Sequence, residues 1–205
     1  MKKRVEPDKL DMSIFFLQPS RPIFCASKNE DGTDHVAPFS WVMPISFHPP
    51  KVAFAVQNER GAKLSQSLVN ILREREFTVS LPHRGQEEKL VEASFLQGEH
   101  ACKFDRTGYT RREAQQVKPV LIEECHAGLE CRVFSIQDTQ GDHTLILADI
   151  VGAAFDDECY GEDFCPILTK MQPLINLREF RFDDHQRHEF VESDKGYMVD
   201  IYYEK

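Results

Sequence analysis

Two cations and two serines lie close together at the start of a segment with helical periodicity. Arg60, Lys63, Ser65 and Ser67 flank or open the segment 64–72, in which leucine and isoleucine recur at helical spacing. Backbone N–H groups at a helix N-terminus bind anions, and nearby cations and hydroxyls strengthen that binding. The segment therefore predicts an anion-binding loop, with a capped surface helix and solvated cations as the simpler alternative.

An aromatic and apolar segment precedes this loop. Its residues are Phe39, Ser40, Trp41, Val42 and Met43, and Trp41 is the only tryptophan of the chain. We expect Phe39 and Trp41 to share one face of a strand over 35–46, where they would form a flat wall, although large aromatic residues are most often core residues. An anion-binding loop beside a flat wall suits a nucleotide-like cofactor. Flavin mononucleotide (FMN) fits such a site.

His143 follows Gly141 and Asp142 at the predicted end of a hairpin. A histidine in this position can point into a cleft and orient a substrate or hold a proton. It can equally hydrogen-bond Asp142 or a turn carbonyl, and the sequence leaves both roles open. His48, which precedes two prolines, is predicted to be structural.

The elements that would position these residues are mostly strands. Strands are predicted over 23–28, 35–46, 52–56, 77–81, 120–124, 129–136 and 144–155, and helices over 64–72 and 86–96. Pro38 and Pro44 predict an irregular or bulged second strand, because proline donates no ladder hydrogen bond. Residues 99–118 are polar and predict a surface excursion or a lid. The pattern indicates a mainly β protein of the barrel class with a few flanking helices and no alternating βαβ units.

Composition restricts the function. The chain has 205 residues with a net charge of −9, which argues against a nucleic-acid partner. It contains no run of about 20 apolar residues that could span a membrane, and its N-terminus lacks the features of a signal peptide. We therefore expect a cytoplasmic protein whose six cysteines are reduced. Cys125, His126 and Cys131 lack the usual close zinc spacing, so we predict no metal site.

The order of several motifs resembles the flavin reductase-like family, which includes flavoredoxins and the small reductase components of two-component monooxygenases. The matching motifs are Ala37-Pro38-Phe39-Ser40, Phe47-His48-Pro49-Pro50, Asn70-Ile71 ahead of Glu76-Phe77-Thr78-Val79-Ser80-Leu81, Leu129-Glu130-Cys131-Arg132-Val133, Gly141-Asp142-His143-Thr144 and Pro173-Leu174-Ile175. The resemblance covers about residues 20–180. Asp149 departs from the family pattern, since many relatives have a small or basic residue there.

The resemblance implies a six-stranded antiparallel Greek-key split barrel that forms a homodimer and binds FMN near the dimer interface. It implies that residues 39–43 lie along the flavin ring, that Ala55, Val56 and Asn58 flank the ring or the ribityl chain, and that the loop 60–67 holds the phosphate. It also implies that His143 lies near the reactive face of the flavin as a catalytic residue, with NAD(P)H as the co-substrate.

These expectations combine into one hypothesis and two alternatives. The hypothesis is a single domain over 1–205, with a core at about 20–180 and a C-terminal extension at 181–205, that acts as an NAD(P)H:flavin oxidoreductase. One alternative is a flavoredoxin-like electron carrier that holds FMN and exchanges electrons with a redox protein partner, for which the acidic balance of the chain suits a basic surface. The other is a relative that oxidises a small amine or vitamin phosphate, which no motif requires.

Overall fold

The computed structural model describes residues 2–60, 63–94, 103–176, 180–181 and 187–188. The side chains of Arg60 and Lys63 lie outside the described part, as do the end of the predicted helix 86–96 and most of the predicted C-terminal extension. Within the described residues no helix is both long and apolar enough to cross a bilayer.

Strands make up most of the regular structure. They are β1 (Ile23–Lys28), β2 (Asp34–Phe39), β3 (Val42–Ser46), β4 (Lys51–Gln57), β5 (Glu59–Arg60), β6 (Lys63–Leu64), β7 (Glu76–Leu81), β8 (Arg111–Arg112), β9 (Leu121–Ile122), β10 (Ala127–Asp138), β11 (His143–Phe155), β12 (Phe180–Arg181) and β13 (Arg187–His188). The helices are a 3₁₀ helix (Pro7–Leu17), α1 (Gln66–Glu74), α2 (Glu87–Ser94), α3 (Lys103–Thr107) and α4 (Leu168–Met171).

Seven strands form one antiparallel sheet in the order β2-β1-β7-β10-β11-β4-β3. Its two edge strands are consecutive along the chain and are joined only by Ser40 and Trp41. The Ala55 N–H donates to the Trp41 carbonyl at 3.0 Å, which extends the β3–β4 pairing as far as this joint. The sheet therefore closes on itself, and β2 with β3 acts as one bent strand of a six-stranded barrel. The predicted fold class is confirmed.

The predicted single strand over 35–46 is therefore wrong in one respect, because the chain breaks at Ser40 and Trp41 so that each half pairs with a different neighbour. The predicted irregularity is present at Pro44, where the β3–β4 register shifts before Ser46, and absent at Pro38, which lies in an unbroken register with Phe24 on an edge strand. This bend decides which side chains face inward. Phe39 packs edge to face on Phe54 at 4.9 Å beside the core, whereas Trp41 is 45% exposed.

Strand β1 is buried on both faces, which explains its run of apolar residues. Cys25 and Cys131 are fully buried inside the barrel with Phe54 and Phe77, as small hydrophobic residues are. Helix α1 contributes Leu68 and Ile71 to the same cluster. The other face of β1 packs against a second apolar cluster outside the barrel.

That second cluster corrects the prediction for residues 99–118. In the described part, 103–118, Phe104 and Tyr109 are buried against β1 and β2, so this segment is a packed layer and not a lid. Helix α2 belongs to the same layer. Its buried residue is Ala93, and Val91 is 38% exposed because the inward face of α2 lies on Leu90 and Ala93.

The longest hairpin, β10–β11, extends the predicted strands 129–136 and 144–155 by a few residues. One end of this hairpin is the turn before His143, and the other end carries His126 and Asp156. The two ends are separated by the full length of the strands, about 40 Å for twelve residues.

Candidate functional site

Trp41 and His143 stack on each other at one end of the barrel. Their ring centroids are 4.5 Å apart and the ring planes differ by 24°. The bend after β2 exposes Trp41, and His143 is the first residue of β11, where it pairs with Gln57. Asp142 fixes the histidine from the other side, with 2.8 Å between His143 Nδ1 and Asp142 Oδ1. This hydrogen bond is one of the two roles that the sequence left open, and it leaves Nε2 on the side away from Asp142.

Asn58 joins this stack to the predicted anion-binding loop. Its backbone N–H donates to the Asp142 carbonyl at 2.8 Å, and its carbonyl accepts the Ser65 N–H at 2.9 Å. Its side-chain amide donates to the Gly141 carbonyl at 3.2 Å and accepts from the Thr144 hydroxyl at 2.7 Å. One residue therefore fixes both the turn before His143 and the start of α1.

The N-terminus of α1 begins at Ser65, which is the N-cap residue and is buried. No side-chain hydrogen bond caps this end, and the first turn contains no acidic residue. The first N–H groups of an α-helix lack intrahelical partners and carry the positive end of its dipole. The end of α1 next to Asn58 is therefore suited to an anion.

Arg60 and Lys63 lie on the short antiparallel pair β5–β6, which connects Asn58 to Ser65. Leu64, predicted to begin the helix, belongs to β6 and is 58% exposed. Only the backbone of Arg60 and Lys63 is described, so their roles toward a phosphate stay predictions.

Ser67 points into the protein. It is buried, and its hydroxyl lies 3.0 Å from Nε2 of His35 on β2. Burial, and to a smaller extent the charge of Lys103, lower the pKa of His35 from 6.5 to about 4. His35 is therefore neutral at physiological pH and links β2 to the first turn of α1. The side chain of Ser67 is committed to this contact, and its N–H group is the part that lies in the first turn of the helix.

The other predicted site residues surround the stack in different ways. Val56 is fully buried in the barrel core, so only its backbone can face a ligand. Met43 is 60% exposed, and Val42 packs beside the core. Ser40 lies in the break between β2 and β3, and Ala55 hydrogen-bonds the Trp41 carbonyl there.

Asp149 lies farther along β11 than this site. It forms an ion pair with Lys51, which also lies 4.0 Å from the centre of the Phe134 ring. The negative charge of Asp149, the residue that departs from the family pattern, is thus balanced by Lys51 on the neighbouring strand β4.

Sequence reasoning placed Asn58 in the site but missed what holds it there. Thr144 and the carbonyls of Gly141 and Asp142 are its partners across the hairpin, and His35 is the partner of Ser67. An asparagine directly after an apolar strand was the available signal for the first set. No local pattern connects His35 with Ser67, because the contact depends on how β2 packs against α1.

An antiparallel sheet that closes through one bent strand, with polar contacts gathered at the bend, is the architecture of the predicted split barrel. A model of the flavin reductase like domain matches residues 18–179, so the chain belongs to this family. This result confirms the resemblance inferred from the sequence.

The solved structures that share the fold include the following three. Component B of nitrilotriacetate monooxygenase from Bacillus cereus has a TM-score of 0.77 at 16% identity and covers 95% of this chain and 98% of its own. Flavoredoxin of Desulfovibrio vulgaris (Miyazaki F) has a TM-score of 0.68 at 20% identity, covering 86% and 91%. The NADH:FAD oxidoreductase SgcE6 of Streptomyces globisporus has a TM-score of 0.66 at 18% identity, covering 77% and 90%.

Proposed function

We propose that this protein binds FMN and acts as an NAD(P)H:flavin oxidoreductase. The observation that carries the proposal is the set of hydrogen bonds made by Asn58, which brings the exposed Trp41–His143 stack next to the N-terminus of α1. An anion-binding helix end beside an exposed flat surface is the combination that a phosphorylated ring system requires. The family supports the choice of a flavin.

The phosphate of FMN, which carries about 1.5 to 2 negative charges at neutral pH, fits the start of α1. The free N–H groups of residues 66–68 and the uncompensated helix dipole supply part of the attraction. Arg60 and Lys63, on the adjoining β5–β6 pair, supply the balancing positive charge. Ser65 adds its hydroxyl at the N-cap.

The flavin ring fits the break between β2 and β3. Within residues 39–43 the regular pairing is interrupted at Ser40, so the polar backbone groups of Ser40 and the Trp41 N–H can contact the ring edge, while the Trp41 carbonyl accepts the Ala55 N–H. Trp41 covers one side of the site and restricts the access of water, and the backbone of Ala55 and Val56 borders it. FMN, when bound, supplies the N5 atom that accepts a hydride from the nicotinamide.

His143 is the residue that we assign to the nicotinamide side of the site. Its contact with Asp142 fixes the plane of the ring, and the stack with Trp41 restricts its rotation. Its Nε2 atom can then carry a proton or form a hydrogen bond with the reacting molecules. In this role His143 orients the hydride donor. Hydride transfer to a flavin requires no nucleophilic side chain of the protein.

A flavoredoxin-like carrier is the second candidate. The net charge of −9 and the structural likeness to a flavoredoxin favour it. Such a protein would hold FMN and receive electrons from a basic redox partner through electrostatic steering. The same Trp41 and α1 contacts serve both candidates, and they differ in whether nicotinamide reduces the bound flavin directly.

Titration of the purified protein with FMN, followed by anaerobic addition of NADH or NADPH, tests the proposal. We expect FMN to quench the fluorescence of Trp41, the only tryptophan, and the nucleotide to bleach the flavin absorption near about 450 nm. His143→Gln should slow this bleaching about 100-fold with little effect on quenching. The matched control is His48→Gln, which alters an exposed histidine on another turn and should react like the parent protein.

The outcomes separate the candidates. Quenching without bleaching by either nucleotide, followed by reduction with dithionite, supports the carrier. No quenching at saturating FMN rejects a flavin at this site, and equal rates for the His143→Gln and His48→Gln variants reject the role of His143.

We also propose that the protein is a cytoplasmic homodimer. Met43, Ile45 and Phe47 continue from Trp41 along one exposed segment, and Phe47 is 88% exposed. An apolar stretch of this kind on a soluble surface indicates a contact with another molecule, and the family implies a second copy. Sedimentation equilibrium should give twice the chain mass for the parent protein and a shift toward monomer for Phe47→Asp. A monomeric parent protein over the whole micromolar range would contradict the dimer.

A further inference from the structure

His126, Asp156 and Cys159 bring three metal-ligating atoms together at the end of the barrel opposite to the Trp41–His143 stack. One ligand atom of each lies within 4.8 Å of the others. His126 directly precedes β10 and Asp156 directly follows β11, so the pairing of these strands positions both. Cys159 lies in the turn that follows, where its N–H donates to the Asp156 carbonyl at 3.0 Å. The Asp156 N–H donates to the His126 carbonyl at 2.8 Å and closes this end of the hairpin.

Two of the three distances between the ligand atoms are close to the edges of a tetrahedral metal site, and the third, between His126 and Cys159, is within 4.8 Å. His126 Nδ1 and Asp156 Oδ2 are 3.2 Å apart, and Cys159 Sγ and Asp156 Oδ2 are 3.7 Å apart. With zinc bonds of about 2.1 Å to nitrogen or oxygen and about 2.3 Å to sulfur, the edges of a regular tetrahedron are about 3.4 Å and about 3.6 Å. The observed values lie close to both.

The ring of His83 restricts the orientation of the proposed ligand His126. His83 stacks on His126 with the ring centroids 3.9 Å apart and the planes 20° apart. Both ring nitrogens of His83 contact backbone carbonyls, those of Arg84 and Glu124, so His83 does not act as a further ligand. It restricts the orientation of the His126 ring by stacking on it.

The surroundings favour a cation and give it access. His126 and Asp156 line a cavity of about 310 Å³. Glu123 and Glu124 also line this cavity, where Arg112 pairs with Glu123 at 3.7 Å. The loop after Asp156 adds more acidic residues, Asp157, Glu158, Glu162 and Asp163. A water molecule in the cavity could complete the coordination as a fourth ligand.

We propose that His126, Asp156 and Cys159 form a binding site for a divalent zinc-class metal ion, independent of the flavin site. The mixed nitrogen, oxygen and sulfur set favours zinc over magnesium or calcium, which prefer oxygen ligands alone. The sequence analysis considered His126 with Cys125 and Cys131 and predicted no metal site. Cys131 is fully buried inside the barrel and is not part of this site.

Cobalt(II) titration of the full-length protein in chelator-free buffer tests the site. We expect one equivalent of Co²⁺ to bind, to give a thiolate-to-metal charge-transfer band in the near ultraviolet, and to be displaced by Zn²⁺. Cys159→Ser should abolish the band, and His126→Ala should weaken binding more than about 10-fold. The matched control is Cys165→Ser, which removes an exposed cysteine from the same loop and should leave the band unchanged.

A second measurement needs no variant. Cys159 is buried, so its alkylation by iodoacetamide is slow and its rate in the metal-free protein is measured first by mass spectrometry. Zn²⁺ should lower this rate further without slowing the alkylation of Cys165. The absence of stoichiometric Co²⁺ binding by the parent protein, a charge-transfer band that persists in folded Cys159→Ser, or equal protection of both cysteines would each overturn the proposal.

Discussion

Replacing both Arg60 and Lys63 with alanine is expected to weaken FMN binding about 100-fold and to leave riboflavin binding within about twofold. A charge-assisted contact contributes about 1.5 to 3 kcal/mol, and about 1.4 kcal/mol corresponds to a factor of ten in Kd. Riboflavin lacks the phosphate, so it does not use these contacts. The measurement is the Kd of each ligand, obtained from the quenching of Trp41.

The control for lost charge is the pair Lys118→Ala and Arg132→Ala. It also removes two cations, but these pair with Glu74 and Glu76 near the C-terminal end of α1. This variant should bind FMN within about threefold of the parent protein, since exposed ion pairs contribute little. Equal losses of FMN and riboflavin affinity in the Arg60–Lys63 variant would exclude a phosphate role for these two residues.

Lowering the pH from about 6.5 to 4 is expected to destabilise the protein by about 3 kcal/mol through His35 alone. The folded protein keeps His35 neutral down to a pKa of about 4, because its burial, and less so the charge of Lys103, disfavours the imidazolium form. The unfolded chain takes up the proton near pH 6.5. The contribution of His35 to the free energy of unfolding is therefore complete above pH 6.5. It decreases as the pH falls from 6.5 to 4, and below pH 4 it does not change further.

Urea unfolding of the parent protein and of His35→Gln at several pH values isolates this contribution, because the carboxylates titrate in both. Glutamine can still hydrogen-bond Ser67 but does not titrate. The difference in unfolding free energy between the two proteins should therefore shrink as the pH falls from 6.5 to 4. A constant difference across this range would show that His35 is protonated in the folded state. His48→Gln serves as the exposed control.

The elements that depend on local pattern could be predicted from the sequence. Strand β1 and the long hairpin β10–β11 stand out through their apolar residues and through the turn that separates the hairpin strands. The order of an apolar strand, a basic loop and a serine-initiated helix indicated the start of α1 near Ser65, whereas Asn58 entered the predicted site through the family resemblance. Proline at 44 correctly indicated an irregular register.

The parts that depend on long-range packing could not be predicted in this way. The break at Ser40 and Trp41 exists because the two halves of one segment pair with β1 and β4, which are the second and the sixth of the seven strands in the sheet order. Residues 103–118 look polar, yet Phe104 and Tyr109 fill a second cluster against β1. The inward orientation of Ser67 likewise depends on His35, a residue far away in the chain.

The closure of the barrel through Ser40 and Trp41 also affects how the molecule can aggregate. An open sheet presents unpaired ladder groups at its rims, and these are templates for cross-β fibres. Among the barrel strands that the structure describes, the two edge strands are β2 and β3. They belong to one continuous segment and meet at its bend. Partial unfolding at this joint would expose β1 and β4 together, so the bend that creates the site also guards the chain against fibrillation.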